Sequence, residues 1–589
     1  MKKRLMLVVV AVLAVACGSR SESAAAATAA AAPQAAVARP SSQVSWPQFV
    51  DGFVESYFRA QPFFAVGEGR HEFDGQMPDW SARGLAAEAA RLRKQRDTAL
   101  AFDAAALTPA ERFEREYLLT VIDSDLFWLE RARFPFRNPA WYIGQLDPDV
   151  YLNRKYAPLA RRVAGYIGYL RSIPGLAADI RANLSSPLPP TFIERGIGGF
   201  GGFAEFFRKD APAVFASVHD PAAQKQLSEA TAAAAAAMEG LKAWLESERG
   251  HATGSFALGE PLFLEMLHTT EHVDVPLGQL LVVGRADLER NTRALTDACA
   301  KYLPGGTLAA CVAKVRADKP AGGAVEGARA LLTDLRAFIV KNGIVSIPSE
   351  ERPLVAEAPP YNRANSAYIN VPGPYDKNVA YVFNIAPPDP SWTPQEREEY
   401  IPGKANLLYT SVHEVWPGHF LQFLHSNRNP SKIASIWVGY AYAEGWAHYG
   451  EEMMWEEGLG NGNPEQHVGQ ITAALLRDVR FLSAIGLHTG KMTVAESERM
   501  FQERAFQDPG SARQQAARGT YDPAYLKYTL GKLMIRKLRS DWVARQPAAG
   551  AGGDPRRYWR AFHDQFLSYG GPPIPMVRAA MVGEGGSLF

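Results

Sequence analysis

The seven residues HEVWPGH, 413–419, contain the parts of a zinc-peptidase motif with two additional residues between the histidines. The usual H-E-x-x-H pattern places its histidines four residues apart on one helix. On an unbroken helix, His419 would lie about 240° around the axis from His413, so the two imidazoles could not bind one metal ion. Pro417 cannot donate its backbone N–H, and Gly418 adds backbone freedom. We therefore predict a local bulge that returns His419 to the face of His413.

A second motif, AYAEGWAHYGEE at residues 441–452, provides carboxylates downstream of the histidines. Glu444 follows His419 by 25 residues, and Glu451 lies seven residues further along. On a helix, Glu444, His448 and Glu451 share one face. The alternative interpretation is a solvated acidic face, because more glutamates follow. We expect Glu444 to face the histidines, and the sequence leaves open whether Glu451 or His448 also contacts a metal.

Together the two motifs favour a catalytic zinc site. Such a site takes three protein ligands and keeps one position open for water or substrate. We predict that His413, His419 and Glu444 bind Zn²⁺. Glu414 is the predicted general base, which takes a proton from water and delivers it to the leaving amine. The competing interpretation of Glu414 is a chance pair with its neighbouring histidine, which the later motif makes less attractive.

Four segments carry a resemblance to a known family. HEVWPGHFLQ, EGWAHYGE, GLHTGKMTVAESERMF and DPAYLKYTLGK occur in the order and spacing of the bacterial family known as domain of unknown function 885. The resemblance covers most of the chain after the first 44 residues. It implies a distant relationship to helical zinc carboxypeptidases and oligopeptidases, in which a deep channel divides two helical lobes. It implies a metallopeptidase and names no substrate.

The resemblance also implies roles for residues outside the two motifs. Arg480, His488 and Tyr528 match positions where the family keeps these residue types, so we predict them as catalytic, with the histidine or tyrosine stabilising an oxyanion. Arg480 is also a candidate for binding a free carboxylate. Tyr525 is a weaker candidate, and any of these tyrosines could instead be a core residue. Phe420 departs from the pattern, because the family commonly has histidine there.

The surrounding sequence predicts a mainly α fold. Helical apolar spacing dominates residues 45–345 and returns from about 396 to 545. Between them, β-rich runs at 368–371 and 379–385 flank a Pro-Gly-Pro turn and predict a hairpin. We expect a two-lobed helical zincin-like metallopeptidase with this small hairpin or sheet beside the active-site helix. The predicted parts are an N-terminal helical lobe, residues 45–345, and a catalytic lobe, residues 346–589.

Two other motifs suggest functional sites but have simpler interpretations. GIGGFGG, residues 196–202, lacks the Lys and Ser/Thr of a phosphate-binding loop, so we predict an ordinary loop. HTTEH, His268 to His272, matches the inverted zinc motif H-x-x-E-H. Two threonines lie inside it, and Pro276 follows closely, so we predict the end of a helix rather than a metal site.

The N-terminus predicts a secreted lipoprotein. Residues 1–17 combine a basic start with a short apolar run that ends in Ala-Val-Ala-Cys, which is typical of a lipoprotein signal peptide. Cleavage at an A-x-A site with an incidental Cys17 is the alternative. Residues 18–44 are rich in alanine, serine and proline and predict a flexible tether. In an oxidising compartment Cys299 and Cys311 could form a disulfide, which we favour over two free thiols.

Composition excludes several classes of function. The formal net charge of +1 over 589 residues offers no footprint for nucleic acid. We expect membrane contact only through a lipidated Cys17, on a lipoprotein of the cell envelope, in the outer membrane. The predicted function is zinc-dependent hydrolysis of short peptides. The alternatives are a catalytically inactive envelope lipoprotein that binds peptides or partners, and a metal-dependent amidase that acts on a non-peptide substrate.

Overall fold

Most of the chain is helical, as the apolar spacing of the sequence predicts. The computed structural model describes residues 44–358, 363, 366–388, 393–547 and 554–589. The predicted signal peptide, and the predicted tether up to residue 43, lie outside these residues. Residues 45–589 form one compact unit. None of the described helices is both long and apolar enough to cross a membrane.

Many helices of the first 250 residues begin with proline in the first turn, where its missing N–H costs no hydrogen bond. Thr108 adds a capping box. Its side-chain oxygen accepts a hydrogen bond from the Glu111 N–H, and the Glu111 carboxylate accepts one from the Thr108 N–H. These helices are α1 Trp46–Ala60, α2 Pro62–Gly67, α3 Ala82–Ala101, α4 Pro109–Leu126, α5 Pro139–Ile143, α6 Asp149–Leu152, α7 Leu159–Asn183, α8 Pro190–Lys209, α9 Ala211–Val214 and α10 Pro221–Glu248.

The segment GIGGFGG, which we predicted to be a loop, lies inside α8, so that prediction is wrong. The reason is tertiary packing. A Cβ on Gly196 would lie 2.4 Å from a methyl carbon of Leu245 in α10, and a Cβ on Gly199 would lie 2.3 Å from a methyl carbon of Ile143 in α5. The glycines therefore allow α8 to pack closely against its neighbours, and that gain outweighs their low helix propensity.

The next four helices are α11 Glu260–Glu271, α12 Leu277–Tyr302, α13 Leu308–Ala317 and α14 Gly323–Asn342. Cys299 at the end of α12 and Cys311 in α13 form a disulfide, with their Cα atoms 5.8 Å apart. The structure therefore confirms the pairing that we favoured. The bond joins two consecutive helices whose apolar faces enter the same core.

The segment HTTEH forms the end of α11, as predicted. His272 has left-handed backbone angles and its Nε2 lies 2.7 Å from the hydroxyl of Thr120. His268 is exposed, and its Nδ1 lies 2.6 Å from a carboxylate oxygen of Asp274. Glu271 is buried and pairs with Lys527 at 2.8 Å. The two histidines therefore have separate partners, and this motif is not among the groups of described residues whose ligand atoms come together.

A small sheet follows the fourteenth helix. Its strands are β1 Leu354–Glu357, β2 Ala367–Asn370 and β3 Val382–Ile385, in the order β1-β3-β2. β2 and β3 pair in antiparallel fashion, with Ile369 opposite Phe383, so the predicted hairpin pairing is confirmed. β1, which we did not predict, pairs with β3 in parallel.

The C-terminal part contains the helices that carry the predicted site. α19 and α23 approach closely, because a Cβ on Gly445 would lie 2.5 Å from the Cα of Gly531. The helices are α15 Pro394–Tyr400, α16 Lys404–Glu414, α17 His419–Ser426, α18 Lys432–Ile436, α19 Tyr440–Glu456, α20 Pro464–His488, α21 Val494–Ala505, α22 Pro509–Tyr521, α23 Lys527–Ala544, α24 Trp559–Leu567 and α25 Ile574–Val582.

The largest hydrophobic core joins helices from both predicted lobes. Leu280 and Leu295 of α12 belong to the same buried cluster as Val412 of α16 and Phe481 of α20. Gly284 of α12 meets Phe481 so closely that a Cβ would lie 2.5 Å from the ring. The core therefore continues across residue 345, where the sequence suggested a division. The predicted class, mainly α with a small sheet, is confirmed.

Candidate metal centre

The HEVWPGH segment forms a tight junction between two helices. α16 ends at Glu414 and α17 begins at His419, with a cis peptide bond between Trp416 and Pro417. The N–H of Gly418 donates to the carbonyl of Val412 at 2.9 Å. A Cβ on Gly418 would lie only 1.7 Å from the His413 carbonyl oxygen, so this position requires glycine. The sequence predicted a bulge within one helix, and the structure has a break between two helices instead.

The junction brings the two imidazoles together, as predicted. The ring centroids of His413 and His419 are 4.8 Å apart, and the ring planes are nearly perpendicular. One carboxylate oxygen of Glu444, in α19, lies 3.2 Å from Nε2 of His413 and 3.5 Å from Nε2 of His419. Ligand atoms of these three residues lie within 4.8 Å of one another, and no other group of this kind occurs among the described residues. Two imidazoles and one carboxylate fit Zn²⁺.

The second nitrogen of His413 is held by a buried carboxylate. Its Nδ1 lies 2.7 Å from Glu451 Oε1, which also forms an ion pair with Arg477 at 3.0 Å. A carboxylate can only accept, so Nδ1 carries a proton toward Glu451, and Nε2 is the ring nitrogen that faces Glu444 and is open to a metal ion. This arrangement of carboxylate behind a histidine is common around metal ligands. Glu451 therefore lies behind His413, one of the two possibilities that the sequence left open.

Electrostatics keep this cluster charged. Burial would raise the pKa of Glu444, but His419 and His413 outweigh it and hold the pKa well below its ordinary value. Burial and Arg477 would lower the pKa of His413, but its hydrogen bonds to Glu444 and Glu451 raise that pKa to about 9. Without a metal ion, the cluster therefore behaves as a histidinium between two carboxylates.

Glu414 lies beside the three ligand residues. Burial raises its pKa, and the neighbouring His419 and His413 counteract that rise. Glu414, the predicted general base, is the last residue of α16, directly after His413, and its carboxyl interacts electrostatically with both histidines. Tyr528, another predicted site residue, stacks near His413 with ring centroids 6.4 Å apart.

Arginines surround Tyr528. The guanidinium carbon of Arg480 lies 5.0 Å from the centre of the Tyr528 ring, and that of Arg477 lies 5.7 Å from it. Arg518 donates to the hydroxyl of Tyr440, whose ring packs 5.8 Å from Tyr528. The sequence predicted Arg480 as a site residue but not Arg477 or Arg518. Arg477 could have been found, because it precedes Arg480 by three residues and so shares its helix face.

His488 and Tyr525 have partners outside the cluster. Nε2 of His488 lies 2.7 Å from the carbonyl oxygen of Gly519, and its ring stacks on Phe263. The hydroxyl of Tyr525 donates to Ser483 at 2.8 Å in the core. Among the described residues, no contact joins either side chain to the histidine pair. The structure thus gives His488 no visible role beside the three predicted ligand residues.

His448 and Phe420 also point elsewhere. Nδ1 of His448 lies 3.5 Å from Glu451, and burial lowers the pKa of His448 to about 3. It is not part of the group of three ligand residues. Phe420 packs edge-on against Tyr381 and Trp416 in the core. The departure from the family pattern at residue 420 therefore leaves the ligand group unchanged.

A cavity of about 410 Å³ lies along α17, the helix that begins at His419. Phe423, which lies one turn beyond His419 and about 6 Å further along the helix axis, forms part of its wall. Another part of the wall includes Glu68 and Arg154. Arg154 donates to the Gly67 carbonyl at 2.6 Å, which fixes this wall.

Comparison with known proteins places the chain in a family. No curated protein matches it. Two solved structures have the same fold, each described as a “putative lipoprotein”. The one from Shewanella oneidensis, of unknown function, is 23% identical, covers 92% of this chain and 100% of its own, and has a TM-score of 0.75. The one from Colwellia psychrerythraea is 18% identical, covers 91% and 99%, and has a TM-score of 0.74. The family model described as “Bacterial protein of unknown function (DUF885)” matches residues 62–581, so the chain belongs to that family.

Proposed function

We propose that this protein is a zinc-dependent peptidase that hydrolyses short peptides, with a zincin-like centre on its helical fold. One observation supports this above all. His413, His419 and Glu444 converge from three helices, with their ligand atoms within 4.8 Å of one another, and Glu414 lies beside them. A donor set of this kind is typical of catalytic zinc, because it leaves a coordination position open.

Each residue of the proposed site has its own role in hydrolysis. Zn²⁺, when bound, supplies Lewis acidity that polarises a peptide carbonyl and acidifies water. Glu451 fixes the orientation of His413 through Nδ1. Glu414 takes a proton from the attacking water and delivers it to the departing amine nitrogen. Tyr528 donates a hydrogen bond as negative charge develops on the carbonyl oxygen. We assign no step to His488, because its Nε2 is bound to the Gly519 carbonyl.

We further propose that the protein is a lipoprotein of the cell envelope. The short apolar run before Cys17 supports this, and both solved relatives are described as putative lipoproteins. Gly18 after the cysteine favours the outer membrane. Metabolic labelling with a fatty-acid analogue is expected to label the wild type and not Cys17→Ala. In membrane fractionation, the labelled wild type should be found with the membranes and the unlabelled variant should not.

Metal content and peptide cleavage test the peptidase. We expect about one zinc per chain, lost in His413→Ala and in His419→Ala and retained in the exposed control His219→Ala. Glu414→Gln should keep the metal and lower kcat by about 10²–10⁴-fold. Zinc binding without cleavage of any peptide in a library would favour the peptide- or partner-binding alternative. Cleavage of small amides but not peptides would favour the amidase.

A further inference from the structure

Arg480 is a buried cation without an acidic partner. The residue is only 8% exposed. Its Nε donates to the side-chain oxygen of Gln515 at 2.9 Å, and its guanidinium lies over the ring of Tyr528. No carboxylate among the described residues forms an ion pair with it. A buried charge is normally paired, so an unpaired guanidinium indicates a place for an anion that comes from outside the chain.

The two neighbouring arginines, unlike Arg480, each have an acidic partner. Arg477 pairs with Glu451 at 3.0 Å, and Arg518 pairs with Asp522 at 3.0 Å. Both acids are therefore already engaged by another cation. Burial lowers the pKa of Arg480, and the positive charges of Arg518 and Arg477 add to that effect. The cluster of three arginines thus has one positive charge more than its acids balance.

The position of Arg480 relates this charge to the proposed metal centre. The Tyr528 ring centre lies 6.4 Å from that of His413 and 5.0 Å from the Arg480 guanidinium carbon. The guanidinium therefore lies no more than about 11 Å from the His413 ring, a span that about three extended residues cover. A substrate anion bound there therefore lies within about three residues of the bond to be cleaved.

We propose that Arg480 binds the free C-terminal carboxylate of the substrate peptide, which makes the protein an exopeptidase that removes one to three residues from the C-terminus. This rests on the proposed peptidase function. The planar fork of a guanidinium matches a carboxylate and can donate two parallel hydrogen bonds. Arg480 is a positioning residue in this scheme, because it fixes the distance between the chain end and the bond that is cleaved.

Paired peptides test the proposal on the wild-type, zinc-loaded full chain. One peptide carries a free C-terminal carboxylate, the second is its amide, and a third is the amide with a glutamate three residues from the end. We expect kcat/KM for the free acid to exceed that for both amides by about 100-fold or more. Mass spectrometry should show successive loss of one to three residues from the C-terminus only. Equal cleavage of acid and amide would overturn the carboxylate site and leave the peptidase in place.

Rapid cleavage of the glutamate amide alone would also overturn the proposal, because the anion would then be an acidic side chain. Absence of cleavage of all three peptides would overturn both the peptidase and the carboxylate site. The wild-type comparison therefore decides the question even where a variant fails to fold.

Variants of Arg480 assign the effect to this residue. Arg480→Gln should lower kcat/KM for the free acid to the value for the amide, with zinc content unchanged. Arg480→Lys keeps the charge but loses the fork, so it should retain part of the preference. The exposed Arg513→Gln on α22 is the matched control and should keep the full preference. Unchanged preference in Arg480→Gln, with normal zinc content, would show that another group binds the carboxylate.

Discussion

At the residue scale, the hydrogen bond between Glu451 and His413 determines which imidazole nitrogen faces the proposed metal. The 2.7 Å contact holds a proton on Nδ1, so Nε2, which faces Glu444, is the nitrogen that is open to a metal ion. Arg477 holds the same carboxylate from another helix and lowers the pKa of Glu451 against the effect of burial. Glu451 and Arg477 therefore act as one unit behind His413, the predicted metal ligand.

Glu451→Gln should weaken zinc binding without removing a ligand. The substitution replaces the carboxylate that fixes His413 and leaves Arg477 without its partner. We expect zinc affinity to fall by about 10–100-fold, as is usual when such a carboxylate is lost. Competition with a chelator measures this, and the exposed Glu398→Gln serves as the control. Unchanged affinity in Glu451→Gln would contradict the role that we give to this residue.

Gly418→Ala should damage the junction between α16 and α17. Its Cβ would lie 1.7 Å from the carbonyl oxygen of His413, which is backbone and cannot rotate away. We expect a loss of about 1–3 kcal/mol in the free energy of unfolding, together with weaker zinc binding. Gly450→Ala is the control, because its Cβ would meet Pro417 at an ordinary 3.6 Å. A normal melting temperature and normal zinc affinity in Gly418→Ala would show that the junction can adjust.

The sequence predicted the histidine pair and Glu444 because their signals are local: two short motifs and a proline-glycine break. Arg477 and Arg518 lie outside those motifs, and their proximity to Tyr528 depends on how α20 and α22 pack on α23. The family resemblance predicted both His488 and Arg480 as catalytic residues. Only the packing separates the two, since His488 binds a backbone carbonyl and Arg480 contacts Tyr528.

At the element scale, the glycine-rich segment of α8 shows where sequence patterns fail. Five of its seven residues, 196–202, are glycine, and their propensity alone favours a loop. The strand β1 was not predicted for a related reason, because the five residues between Pro353 and Pro359 carry too weak a pattern. In both cases contacts distant in sequence decide the local structure, through Ile143 and Leu245 for the helix and through β3 for the strand.

Two alanine substitutions in α8 separate helix propensity from packing. Gly198 is exposed, and a Cβ there would meet nothing within 4 Å, whereas on Gly199 it would clash with Ile143. Gly198→Ala should therefore raise the free energy of unfolding by about 0.5–1 kcal/mol. Gly199→Ala should lose that gain or destabilise the protein. Denaturant unfolding measures both, and equal stabilisation would mean that α8 and α5 have room between them.

At the scale of the whole molecule, the candidate site depends on segments from most of the chain. Helices of residues 260–342 share a core with α16 and α20, and Phe53 of α1 packs against Trp437. The sequence indicated the helices but not this interleaving, because local periodicity carries no information on which helix faces meet. The cavity beside α17 could not be predicted from local periodicity either, because its walls combine α2 with the segment after β2, which is distant in sequence.

Glu68, in the wall of that cavity, makes the stability of the folded protein depend on pH. Burial raises its pKa from 4.5 to about 8; Arg154 lowers that pKa, and Asp376 raises it further. Between these two values the folded state holds a proton that the unfolded state has lost. The folded state therefore loses stability as pH rises from about 4.5 to about 8, and the loss is complete above that range.

Glu68→Gln removes this titration, so its advantage over the wild type should grow with pH. We expect the difference in melting temperature, variant minus wild type, to be smallest near pH 5, to increase toward pH 8 and then to level off, as the pKa of about 8 requires. The exposed Glu398→Gln should give a difference that stays constant over the same range. A constant difference for Glu68→Gln as well would show that the Glu68 carboxyl is solvated in the folded protein. It would also show that the wall formed by α2 and the segment after β2 is open to water at that point.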